Sequence, residues 1–207
     1  MNSVNPQLNN YAENFLLVQY EKNDAGHSRE HAEYVIRRSL LFAQQFEGID
    51  RDMIFAAAVY HDIAHHINKK IHEKLSAEIF YSDEKMKDFF TESQRLTIKE
   101  AIEDHRASLG SVPRSDYGKI LSSADRSTDV DDFLRRTHAY TLRHLPGCDE
   151  KEMIKRAFDH TLEKYGKTGY ASHYVEDAEY TAFRENILHI LSDYEVFAEK
   201  YKDINGI

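Results

Sequence analysis

An all-α fold is predicted from three features of the sequence. Apolar residues recur at three- and four-residue spacing in most segments, and no stretch alternates for long as a half-buried strand does. The chain has only three prolines, and its eight glycines lie mostly between the periodic segments. Several segments also begin with a residue type that caps helices. Together these features favour a single-domain bundle of helices.

The elements follow in order from these signals. Thr91 and Gln94 form a capping-box pattern, Asp50 precedes an apolar run, and Asp24 or Gly26 precedes the helix before it. Four glycines near predicted ends are expected to be left-handed residues, namely Gly48, Gly110, Gly147 and Gly166. The predicted helices cover about 7–22, 28–46, 50–61, 72–86, 91–108, 116–145 with one break, 149–166 and 175–202.

The length and composition are those of one globular domain. The chain has 207 residues, 41% hydrophobic and 30% charged, with no repeat and no linker. We expect an N-terminal helix over 1–23 that forms one globular unit with a domain over 24–207. A single cysteine, Cys148, excludes an internal disulfide and a multi-cysteine zinc cluster. No apolar run is long enough to span a membrane and no secretory signal is recognisable, so we expect a cytoplasmic protein without a membrane partner.

The charge balance restricts the class of partner. The formal net charge is −9, whereas proteins that grip a nucleic-acid polymer attract phosphates with an excess of Lys and Arg. Small phosphate esters are not excluded, because a bound divalent cation supplies local positive charge. The twelve histidines are a high count for this length and direct attention to metal binding.

The stretch YHDIAHH, residues 60–66, follows the apolar run MIFAAAV. In the predicted helix, His61 shares a face with Met53, Ile54, Ala57 and Ala58, so it lies at the end of the buried stripe. Asp62 follows directly. Two adjacent helical residues point about 100° apart and can reach one ion only near a helix end. A His–Asp doublet at this place suggests a metal site.

Further imidazoles and carboxylates lie at the edges of other apolar faces. His27 and His31 are four residues apart and share a helix face. His72 begins the segment HEKLSAEIF, His105 ends AIEDH, and Asp125 lies in ILSSADRSTD. Such residues on several helices are the ingredients of a mixed nitrogen and oxygen site for a divalent cation.

The ordered set of His31, His61-Asp62 and Asp125 resembles the H…HD…D signature of the HD superfamily of metal-dependent phosphohydrolases. The phrases around it, GHSREHAEYV, AAAVYHDIA and ILSSADRSTD, are similar to the corresponding helices of that family, and the likeness extends over most of the chain from about residue 24. Two positions depart from the usual pattern, because Tyr34 stands where many relatives have Arg and Ala64 where many have Gly. These departures leave the ligands intact.

The resemblance implies a role for each candidate residue. The expected metal ligands are His31, His61, Asp62 and Asp125. His27 is expected to orient a ligand or a coordinated water, although it is also an alternative to His31 as the first ligand. His72 and His105 either complete a two-metal site or act in catalysis, by donating a proton or by bonding a phosphate oxygen. The expected substrate-binding residues are Lys69, Lys70 and Arg126. His65 and His66 are expected to be solvated loop residues, with the alternative that one of them faces the cavity. The histidines without motif support are expected to be structural or at the surface.

The implied activity is hydrolysis of a nucleotide or a related small phosphate ester by water that a divalent cation activates. Two carboxylates and two imidazoles suit Mn²⁺, Mg²⁺, Co²⁺, Ni²⁺ or Fe²⁺, with one ion expected and two as the alternative. A di-iron oxygenase and a non-catalytic nucleotide sensor remain as other readings. A cyclic-dinucleotide phosphodiesterase is disfavoured, because no GYP-type extension follows His61 and Asp62. The oligomeric state is not predicted.

Overall fold

The computed structural model describes residues 3–207. Helices dominate this part of the chain and it contains no strand, so the predicted all-α fold is confirmed. The described chain divides into two compact units. The first runs through Asp125 and includes His173–Glu176, and the second comprises Arg126–Ser172 and Asp177–Ile207. That the domain over 24–207 forms a single globular unit with residues 1–23 stays a prediction.

Helix α3 is the central element of the first unit. It packs against α2, α4, α5 and α6, and every side chain from Met53 to Tyr60 is buried. Three successive alanines in this stretch leave room for neighbouring helices to approach closely. The helices of the unit are α1 (Pro6–Tyr11), α2 (Arg29–Phe42), α3 (Arg51–Tyr60), α4 (His72–Ser82), α5 (Glu92–Asp104) and α6 (Asp116–Ala124). The end of α3 therefore lies within the core of this unit.

Capping explains where several of these helices begin. The Asp50 carboxylate accepts hydrogen bonds from two backbone amides of the first turn of α3, and Thr91 and Gln94 form the predicted capping box of α5. The cap of α2 is Ser28, whereas Asp24 caps a 3₁₀ turn over Ala25–His27. Several predicted C-terminal ends were a few residues too long, because α2 and α4 pass into 3₁₀ turns.

The N-terminal segment is less regular than predicted. Helix α1 is followed by a π-helical turn over Ala12–Leu16 and a 3₁₀ helix over Leu17–Lys22, while residues 1 and 2 of the predicted 1–23 segment lie outside the described residues. Buried apolar side chains recur along it and join the core of the first unit. The Tyr11 hydroxyl also donates a hydrogen bond to Asp83 at 2.8 Å. The segment thus belongs to the packed unit that contains α3.

The second unit contains four helices, α7 (Val130–His144), α8 (Glu150–Tyr165), α9 (Ala178–Ile190) and α10 (Tyr194–Asn205). Helix α7 packs against the other three. The predicted break within 116–145 falls between α6 and α7. The single helix predicted over 175–202 is wrong, because Asp193 accepts a hydrogen bond from the Glu195 amide and starts a new helix.

Glycine has two different roles at the ends of elements. Gly48, Gly110 and Gly147 have the predicted left-handed backbone, with φ between 71° and 93°. Gly166 does not, since its φ is −59° and its ψ 177°. A Cβ atom at this position would lie 2.4 Å from the Leu162 carbonyl oxygen, so close packing explains this glycine. No described helix has the length and apolar character needed to cross a membrane.

Candidate metal centre

The His–Asp doublet is buried at the C-terminal end of α3. His61 is fully buried, and its Nδ1 donates a hydrogen bond to the Ala58 carbonyl oxygen at 2.7 Å. A carbonyl oxygen only accepts, so the Nδ1 atom carries the proton and the Nε2 atom offers a lone pair. Burial lowers the pKa of His61 to about 4, which keeps the ring neutral. Its Nε2 lies 3.5 Å from Asp62 Oδ2.

Two other helices bring their predicted residues to the same carboxylate. His31 projects from α2, and its Nε2 lies 3.9 Å from Asp62 Oδ2 and 3.1 Å from Asp125 Oδ1. Asp125 follows the last turn of α6. The four expected ligands, His31, His61, Asp62 and Asp125, therefore meet at one place.

A second group faces the other oxygen of Asp62. The Nε2 atoms of His72 and His105 lie 3.2 and 3.5 Å from Asp62 Oδ1 and 3.2 Å from each other. Their Nδ1 atoms donate hydrogen bonds to the carbonyl oxygens of Lys69 and Ile102. Asp62 thus has one oxygen toward each group, and both groups are rich in imidazole.

These donor sets fit a divalent cation. With their Nδ1 atoms committed to carbonyl groups, His72 and His105 each turn the Nε2 atom toward the Asp62 carboxylate, where it can donate to the oxygen or bind a cation held beside it. The Nε2 atom of His61 and Oδ1 of Asp62 are buried and make no hydrogen bond of acceptable geometry. Buried polar atoms without a partner are uncommon in folded proteins. The His/Asp cluster is therefore positioned to hold a metal ion.

The charges of the two carboxylates are maintained by the imidazoles. Burial by itself raises the pKa of Asp62, but the surrounding histidines outweigh burial and hold this pKa well below the usual range. Burial acts in the same sense on Asp125, where the hydrogen bond and charge of His31 lower the pKa. Both carboxylates are consequently ionised near neutral pH, as metal ligands must be.

The family model of the HD domain matches residues 27–128. Over these residues the chain belongs to the HD domain family. The matched region contains all of the residues just described, from His31 to Asp125. No curated protein and no solved structure matches the chain.

The other predicted site residues have partners of their own. His27 is close to Asp24, with its Nδ1 donating to Asp24 Oδ1 at 2.7 Å, and Lys69 pairs with the other oxygen of the same carboxylate at 2.7 Å. Lys70 is exposed, and its carbonyl oxygen accepts a hydrogen bond from Arg106. Arg126 lies in the second unit, where its Nε donates to the Ser172 carbonyl oxygen at 3.2 Å. The expected roles of these residues stay predictions.

Sequence reasoning missed several residues that shape the centre. The backbone of Asp62 is held at both of its polar groups, since its amide donates to the Tyr20 hydroxyl at 3.2 Å and its carbonyl accepts from Asn23 Nδ2 at 3.0 Å. His65, expected in a solvated loop, is buried because the chain after α3 continues in tight turns. Its place three residues after Asp62 was the one available signal, whereas Tyr20 and Asn23 carry no motif.

Proposed function

We propose that the chain is a metal-dependent phosphohydrolase that acts on a nucleotide or a related small phosphate ester. The observation that carries this proposal is the division of the Asp62 carboxylate between two groups of histidines, His31 with His61 and His72 with His105. A ligand set of this kind supports hydrolytic chemistry in an HD domain.

The geometry supports two cations rather than the single ion that the sequence favoured. His31, His61, Asp62 and Asp125 would hold one, and Asp62, His72 and His105 the other. The proportion of imidazole nitrogen favours Fe²⁺, Co²⁺ or Ni²⁺ over Mg²⁺. When bound, such cations lower the pKa of a coordinated water and offset charge that develops on the phosphoryl group.

This arrangement changes the proposed role of His72 and His105. Their Nε2 atoms face Asp62, and their Nδ1 atoms are occupied by carbonyl groups. Neither ring has a nitrogen left to donate a proton to a leaving group. We therefore assign them as ligands, with the backbone hydrogen bonds fixing the orientation of each ring.

A panel of nucleoside mono-, di- and triphosphates tests the proposal. The chelated protein is assayed for release of phosphate or pyrophosphate after addition of Mn²⁺, Co²⁺, Fe²⁺ or Mg²⁺. The variant Asp62→Asn preserves shape but removes the shared charge, and it should reduce release by more than about 100-fold. Asp88→Asn is the matched control, because this carboxylate is exposed and pairs only with Lys85 among the described residues. Both variants require a folding check by circular dichroism.

Failure has a distinct signature. If the wild-type protein binds metal but releases no phosphate or pyrophosphate from any member of the panel, the proposal is wrong. The four imidazoles of the two groups would also suit a pair of iron ions. Oxygen consumption by the iron-loaded protein, without phosphate release, would then favour the oxygenase alternative.

A further inference from the structure

A third cluster of metal-ligating side chains lies outside both groups that share Asp62. Asp24, His27 and His65 each place one ligand atom within 4.8 Å of the others. The rings of His27 and His65 stack with centroids 3.5 Å apart and planes inclined by 20°. The two ligand groups proposed above include none of these three residues.

His65 provides an independent sign of a missing partner. Its side chain is 5% exposed, and its Nδ1 atom is buried without a hydrogen-bond partner among the described residues. A buried polar atom of this kind needs a partner, and a cation can be that partner for an imidazole nitrogen.

We propose that Asp24, His27 and His65 hold a further divalent cation, separate from the two groups that share Asp62. Two imidazole nitrogens and one carboxylate oxygen form a site of the type that Zn²⁺, Co²⁺ or Ni²⁺ prefers. Asp24 supplies the negative charge, and its hydrogen bond to His27 fixes the ring of that residue.

The Asp24 carboxylate is the group of this cluster that attracts a cation. The hydrogen bonds from His27 and Lys69 hold the pKa of this carboxyl below the usual range. A cation that binds the ionised carboxylate must displace the Lys69 ammonium group from it.

Lys69 is the natural regulator of this cation site. Its Nζ lies 2.7 Å from Asp24 Oδ2, and its side chain is 43% exposed, so it can leave for solvent at small cost. The ammonium group competes with a bound cation for the same carboxylate. Removing it should therefore strengthen binding at this site alone.

The test uses the full chain, stripped with a chelator and titrated with Co²⁺ alone. Calorimetry gives affinities and the number of ions, and the visible absorption of Co²⁺ reports its ligands. The variants are His27→Gln, His65→Gln and Lys69→Met, with His189→Gln on the exposed face of α9 as control. We expect both glutamine variants to bind one Co²⁺ ion fewer than wild type. Lys69→Met should raise the affinity for that same ion by up to roughly 5-fold.

The outcomes separate this proposal from the proposed function. Asp62→Asn should lower the affinity for the ions of the two groups that share Asp62. It should not change binding of the ion at Asp24, His27 and His65, whether or not the protein hydrolyses phosphate esters. Equal stoichiometry in wild type and both glutamine variants, with no effect of Lys69→Met, would overturn the proposal. It would also be overturned if inorganic phosphate, and not Co²⁺, bound in a manner that depends on His65. Because Lys69 is at the surface, its variant remains informative if His65→Gln does not fold.

Discussion

The hydroxyl of Tyr20 accepts a hydrogen bond from the backbone amide of Asp62, at 3.2 Å. The same hydroxyl donates to the carbonyl oxygen of Val59 at 2.9 Å, and the Tyr20 ring is buried beside His61. The backbone of the doublet is thus fixed by a side chain that precedes the region matched by the family model. Holding the backbone limits the positions that the Asp62 carboxylate can adopt.

Tyr20→Phe tests this relationship by removing one oxygen atom from the buried ring. The two hydrogen bonds are lost, and we expect the free energy of unfolding to fall by about 1–2 kcal/mol. We also expect the affinity for Co²⁺ to fall by roughly 10- to 100-fold, as for other groups that orient metal ligands. Denaturant unfolding and calorimetry measure the two effects. Tyr140→Phe, at an exposed position of α7, should leave both unchanged.

Asn23→Asp tests the hydrogen bond that Asn23 donates to the Asp62 carbonyl oxygen. Asn23 Nδ2 donates to the carbonyl oxygens of His27 and Asp62, both at 3.0 Å, and its Oδ1 accepts from the His66 amide at 2.9 Å. An aspartate of the same shape can accept from His66 but cannot donate to the two carbonyl groups. We expect a lower melting temperature and weaker Co²⁺ binding.

Asn14→Asp serves as the control for Asn23→Asp, because Asn14 is exposed and bonds only to Asn10 among the described residues. If Asn23→Asp binds Co²⁺ as tightly as wild type, the contacts of Asn23 do not position the ligands. A lower melting temperature without a change in affinity would assign Asn23 a structural role.

His105→Gln tests the assignment of the second group. If His105 is a ligand, the variant should retain one metal equivalent less than wild type after gel filtration, measured by elemental analysis. If it is instead a proton donor, metal content should stay the same while the alkaline limb of the pH–rate profile disappears. The exposed His189→Gln control should match wild type in both measurements.

The contact between Tyr11 and Asp83 predicts sensitivity to alkaline pH. Burial, followed by the hydrogen bond and charge of Asp83, raises the pKa of Tyr11 from 10.0 to about 12. Between these two values the unfolded chain loses the Tyr11 proton while the folded chain keeps it. The stabilisation is therefore complete below pH 10 and is lost as the pH rises toward 12.

Unfolding in denaturant at a series of pH values checks this prediction for Tyr11. The variant Tyr11→Phe should lower stability at pH 8 and show a shallower loss of stability between pH 10 and 12 than wild type. Identical slopes in the two proteins would mean that the contact with Asp83 does not form in solution.

Periodicity and capping residues were enough to predict most of the fold. The helices around His31, His61 and Asp125 each end or begin near an apolar stripe, so the sequence could indicate that these residues meet. The break before α10 was missed, because the apolar pattern continues across it and only the Asp193 cap marks it.

The remainder of the centre depends on contacts that no local pattern encodes. Tyr20 and Asp62 are 42 residues apart, and a tyrosine in an apolar segment is more often part of the core than a partner of a backbone amide. His65 is buried by a succession of turns after α3, which its polar neighbourhood in the sequence did not suggest. Such residues become visible only when the backbone path is known.

The attachment of Asp62 to Tyr20 and Asn23 has a practical consequence for the choice of expression fragments. A fragment limited to 27–128, the span of the family match, would lack Asp24 and the two residues that bond the Asp62 backbone, Tyr20 and Asn23. It would also lack the returning segment His173–Glu176, whose Tyr174 amide donates to Ser123 on α6 at 2.9 Å. A fragment that keeps these contacts must therefore begin before Tyr20 and extend past Glu176, beyond the 27–128 borders of the family match.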